Sequence, residues 1–112
     1  MKLSRDAIIA EAKLAKYLLV WREVDDKSQF LEQAGYTLEN WQQLEVDLRS
    51  QILSLAAVPS DEPNRFGDVY EIRGVLNGIN STRLAVVTIW MIEYETKVTK
   101  FITLYPDKEA RS

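Results

Sequence analysis

The sequence predicts an α+β domain, with three N-terminal helices packed on one face of a three-stranded antiparallel meander, and three observations lead there. Apolar residues recur at steps of three and four in the first half. They recur with a period of two in the second half, and the turn-rich stretch PSDEPNRFGD separates the two patterns. The expected organisation is a single domain over 1–112: a helical half at 1–58, a connector at 59–66, a sheet at 67–106 and a loose tail at 107–112.

The first helix is expected over 5–20. Ser4 stands where an N-cap is wanted, and Ile8, Ala12, Ala15 and Leu19 fall on one face. The second, over 26–34, takes Asp25 and Asp26 in its first turn, where the helix dipole favours acids, and Gly35 as its left-handed terminator. Thr37 or Asn40 opens the third, over 38–56, in which Trp41, Leu44, Leu48, Ile52 and Leu55 keep helical spacing.

Strands are expected over 67–76, 82–94 and 98–105. In the first, Tyr70, Ile72, Gly74 and Leu76 alternate with Val69, Glu71 and Arg73, and LNGINS then supplies turn residues including Asn77-Gly78. RLAVVTIWMIEY is apolar on both faces, so it belongs in the middle of the sheet. YETK makes the next turn, and Pro106 halts the last strand. Helices on one face leave Trp90, Val86 or Ile92 on the other in want of cover, for which a homodimer or a small companion protein is the simplest. Strict alternation in KFITLYP puts Thr99, Phe101, Thr103 and Tyr105 on one face. Val98, Lys100, Ile102 and Leu104 then meet the helices, so Thr103 faces away from them.

Composition narrows the chemistry. The 112 residues contain no Cys and no His, which removes disulfides, thiolate metal sites and the usual neutral-pH general base. With 14 basic and 17 acidic side chains the net charge is −3, so RNA is not favoured as a partner. No apolar run approaches the roughly 20 residues of a membrane helix and no signal-peptide core follows MKLSRDAII, so a cytoplasmic protein without membrane contact is expected. There is no nucleophile elbow, phosphate loop or dinucleotide fingerprint, so no cofactor is expected. Asp61, Glu62, Asp68 and Glu71 read as solvated acids rather than a magnesium site. Trp41 and Trp90 read as core anchors, whereas Trp21 and Tyr36, at element ends, are freer to serve function. Cleaving RNA without a metal needs a base, an acid and a cation on the phosphate, roles that Lys, Arg, Tyr, Thr and carboxylates can share if the fold brings them together.

The series KLAKYLL, DKSQFLEQAGYTLENWQQLEVDL, YEIRGVLNGIN, VVTIWMI and KFITLYP resembles a bacterial family of small domains of unknown function, across nearly the whole chain. That family carries a Lys-Leu-x-x-Tyr-Leu-Leu helix, a Thr-x-Trp central strand and a last strand near Thr-x-Tyr-Pro. The resemblance implies a module that stands alone beside a small companion gene, or ends large secreted proteins as a toxin-like unit. Helices followed by a meander, with a Thr near the end of the final strand, are also similar to barnase-like ribonuclease toxins. By that likeness Lys13, Lys27 and Thr103 fall on candidate catalytic positions, with Arg83 and Tyr105 as auxiliaries. The chain departs from the more basic members by carrying Asp25-Asp26 near Lys27 and no histidine. Two functions follow: a noncatalytic interaction or assembly module, which the missing histidine and the negative charge favour, and a metal-independent endoribonuclease.

Overall fold

The computed structural model describes residues 1–23, 27–62 and 64–109. Its sheet is antiparallel and has four strands in sequence order: β1 (Val58–Pro59), β2 (Gly67–Asn77), β3 (Arg83–Glu93) and β4 (Thr99–Pro106). The two-sided apolar run is indeed internal, since β3 pairs with both β2 and β4. The extra strand is short and straddles the expected boundary between the helical half and the connector. Val58 and Pro59 pair with Glu71 and Tyr70, where the proline's missing N–H is harmless at a sheet edge.

The helices are shorter and more broken than expected. α1 (Glu11–Lys13) runs into a π-helical turn, Leu14–Leu18, and α2 spans Ser28–Glu32. A 3₁₀ turn, Leu38–Asn40, leads into α3 (Trp41–Asp47), which continues as a second π-helical turn, Leu48–Ile52. The third helix thus follows its expected range closely. α2 ends as expected: Gly35 has φ 90°, with Gly35 N–H donating to Glu32 O at 2.9 Å and Tyr36 N–H to Leu31 O at 3.2 Å. Asp25 and Asp26 lie outside the described residues.

Residues 5–10, expected in the first helix, are not helical. Ser4 makes a tight turn, its Oγ accepting from Asp6 N–H at 3.1 Å and its carbonyl from Ala7 N–H at 3.2 Å. The chain then runs extended and parallel beside β4, Ile8 N–H donating to Thr99 O and Phe101 N–H to Ile8 O, both at 2.8 Å. Ala7 and Ile9 are buried and Ile8 is exposed, so a strand's alternation wins over helical spacing here.

The core lies between α3 and one sheet face. Leu44, Leu48 and Ile52 meet Ile72, Leu76, Leu84, Val86, Trp90 and Leu104 there, and Phe101 packs edge-on against Trp90 with centroids 5.1 Å apart. Trp90, Val86 and Ile92 therefore belong to the helix side, contrary to expectation; even-numbered residues of β3 face inward and Val87, Ile89 and Met91 face out. The expected turn at Asn77-Gly78 is also different. Ser81 takes the left-handed position at φ 70°, and a Cβ on Gly78 would run into Ala34, so glycine is required for close approach.

Candidate functional site

The face of the sheet away from the helices is ordered in cross-strand rows. Arg73 of β2, Val87 of β3 and Tyr105 of β4 form one row, and Glu71, Ile89 and Thr103 form the next. A bulge produces this arrangement: Trp90 pairs with Phe101 but Ile89 pairs with Thr103, which leaves Ile102 as the extra residue. Phe101 and Leu104 consequently both turn into the core, while Thr103 and Tyr105 stay on the open face. The expected outward placement of Phe101, and inward placement of Lys100, fails at this one inserted residue.

Around the Arg73 row the surface sinks into a cleft of about 550 Å³, whose lining includes Lys27, Arg73, Val87, Tyr105, Asp107 and Glu109. Val87 forms its floor and is only 1 % exposed, whereas Tyr105 is 37 % exposed. Arg73 Nη1 lies 2.8 Å from Asp107 Oδ1 and 3.6 Å from Glu109, and Nη2 lies 3.9 Å from Glu71. Asp107 is held in turn, its N–H donating to Ala85 O at 2.9 Å and its Oδ1 accepting from Glu109 N–H at 3.1 Å. Hydrogen bonding to Asp107 raises the Arg73 guanidinium above its ordinary pKa. Burial pushes the Tyr105 phenol up and Glu71 adds to this, with Arg73 acting in opposition. The cleft thus gathers the cations Lys27, Arg73 and Lys108 and the acids Asp107 and Glu109 around a tyrosine that is neutral at pH 7.

Of the candidate residues, Lys27 and Tyr105 line this cleft. Lys27 sits at the N-cap of α2, where its ammonium donates to the Tyr17 hydroxyl at 3.4 Å and lies 5.4 Å from the Tyr17 ring centre. Thr103 is half-buried one row away, its Oγ1 3.4 Å from the carbonyl of Leu104. Arg83 opens β3 opposite Asn77, exposed, and Lys13 ends α1, half-buried; neither lines the cleft. Tyr36, expected to be free for function, is instead fully buried: its hydroxyl donates to Asp47 Oδ2 at 2.6 Å. Asp68 accepts from the Tyr94 hydroxyl at 3.0 Å, and among the described residues no group of three or more acids is disposed to hold a metal. Arg73 stood out in the sequence only as one of several basic residues that a fold could bring together, and Asp107 not at all. Alternation placed Arg73 opposite Ile72, but only the strand register joins it to Tyr105.

Among the described residues no helix is long and apolar enough to cross a membrane. A family model described as a domain of unknown function, DUF6883, matches residues 2–108. No curated protein and no solved structure matches the chain.

Proposed function

Because the chain belongs to the DUF6883 family, whose description assigns no reaction, we propose a function from its own side chains: a noncatalytic module that docks a companion protein on the open sheet face around Arg73 and Tyr105. The observation that carries this reading is the grip of Asp107 on Arg73 at 2.8 Å, with Glu71 and Glu109 alongside. A guanidinium compensated in this way is a poor seat for a phosphodiester. Arg and Tyr fixed over a buried aliphatic side chain are, however, residue types that anchor protein interfaces. In this reading the domain works in the bacterial cytoplasm as a member of a toxin-related family, beside a small companion protein or a second copy of itself.

A metal-independent endoribonuclease of the barnase-like kind is the second reading, favoured by the meeting of Lys27 and Tyr105 in one cleft. Against it, Arg83 lies four residues along β3 from Val87, about 13 Å at the usual strand rise. A photo-crosslinking residue at position 105, expressed in the native host, separates these readings. We expect one adduct of defined mass that disappears in Arg73→Glu and does not form from a probe at exposed Val46; twice the chain mass identifies self-association. Equal labelling from both probes, or none, refutes the docking face. Metal-free RNA cleavage by the purified domain that vanishes in Thr103→Val establishes the ribonuclease reading instead.

A further inference from the structure

A second cleft, of about 440 Å³, opens on another part of the molecule between the N-terminal segment and the π-helical turn that extends α3. Its lining includes Lys2, Arg5, Arg49, Ser50, Leu53 and Ser54, three cations and two hydroxyls with no carboxylate, in a chain of net charge −3. Among the described residues neither the Lys2 nor the Arg5 side chain has an ion pair or hydrogen bond, which leaves both charges for a ligand. Arg49 is fixed from below: Nη1 donates to the carbonyls of Arg5 at 3.0 Å and Ala7 at 2.9 Å, and Nη2 reaches Glu45 at 3.5 Å. Of its five N–H groups, Nε–H and one on Nη2 stay uncommitted. Ser50 lies on the π-helical turn and Ser54 just beyond it, and both line the cleft, with Leu53 as the buried wall. The π turn, closed by Leu53 N–H to Leu48 O at 2.9 Å, widens the helix at the residues that line the cleft.

We infer that this cleft binds the phosphate monoester group of a small molecule, with Lys2 and Arg5 closing on the dianion, Arg49 as the preorganised donor, and the serine hydroxyls completing its oxygen contacts. Phosphate is the anion this set suits, because several charge-assisted donors converge from different directions and its oxygens can accept from all of them. The volume lies within the range of small-molecule sites. Of the acids close by, Glu45 is paired with Arg49 and Asp6 follows Arg5 in the turn made by Ser4; neither lines the cleft.

The test is a titration of the isotopically labelled domain, followed by amide NMR, with inorganic phosphate, adenosine 5′-monophosphate and adenosine. Both phosphates should shift the amides of Arg5, Ser50 and Ser54 saturably, and adenosine should not. The double variant Lys2→Gln/Arg5→Gln removes two exposed side chains without touching the core and should weaken phosphate binding by at least about tenfold, since a hydrogen bond to a charged group is worth that order. Arg65→Gln, an exposed change in the loop before β2 and outside the cleft lining, should change nothing. Shifts of equal size with adenosine, shifts unaffected by the double variant, or none at millimolar phosphate overturn the inference.

Discussion

Thr88 occupies the centre of the sheet with no exposed surface and spends its hydroxyl twice. Its Oγ1 donates to the carbonyl of Ile72 at 2.9 Å and accepts from Trp90 Nε1–H at 2.7 Å. The Thr-x-Trp pattern is therefore a packing device: a buried indole needs an acceptor, and a threonine two residues back on the same face supplies one. Thr88→Val keeps the shape but strands the indole N–H, so it should cost about 1–3 kcal/mol in denaturant unfolding, and Thr88→Ser should recover much of that loss. Tyr36 plays a similar part, bridging Asp47 while the carbonyl of Asn77 lies 3.3 Å away. Gln43 Nε2 donates to the other oxygen of Asp47 at 2.9 Å. Burial first, then Asp47, raises the Tyr36 phenol above its ordinary value of 10.0. A raised acid keeps its stabilising contribution in full below the unfolded value and loses it as pH rises toward the folded one. Stability should accordingly fall above about pH 10, and Tyr36→Phe should flatten that alkaline limb while lowering the plateau by about 1–3 kcal/mol. The sequence placed Tyr36 at an element end, correctly, but not its burial, because that depends on how the turn at Gly35 folds back against α3.

At the scale of elements, backbone geometry decides more than propensity. Gly78 touches Ala34 so closely that Gly78→Ala must separate the β2–β3 loop from the end of α2. Thermal melting should register a loss of about 1–3 kcal/mol, the usual cost of overpacking. Lys97, at φ 62° in the β3–β4 turn, holds the opposite opportunity. Lys97→Gly relieves a left-handed conformation and should raise stability by up to about 1 kcal/mol. The three long strands were legible because a period of two is a local signal. The bulge at Ile102 was not, since its cause is the partner strand: Trp90 and Thr88 each demand a core neighbour from β4, and only an inserted residue delivers both Phe101 and Leu104.

For the whole molecule, the N-terminal segment matters most. Its misreading has a clear origin: Ile8, Ala12, Ala15 and Leu19 satisfy helical spacing, while Ala7 and Ile9 satisfy a strand, and the choice falls to an open edge of β4 near the other end of the chain. Removing residues 1–9 uncovers that edge and takes Leu3 and Ile9 out of the core. At about 1.5–3 kcal/mol for each buried aliphatic side chain, the loss is about 3–6 kcal/mol. A much lower melting temperature and rising light scattering should result. The candidate cleft was legible only as residue types, because Arg73 and Tyr105 meet through β3 and no local spacing encodes that meeting.

The two hydrogen bonds between Ile8 and the β4 backbone also set an order of events during translation. Ala7 and Ile9, on either side of Ile8, are translated well before β4, the strand that pairs with this segment. At about 5–20 residues per second, these side chains wait several seconds in water before Phe101 emerges. Through that interval the nascent chain offers a short apolar segment to any holdase. Closure joins two segments far apart in the sequence, and its loop entropy slows folding. A stalled chain ending before β4 should therefore remain protease-sensitive at its N-terminus, however well α3 and the β2–β3 hairpin have formed.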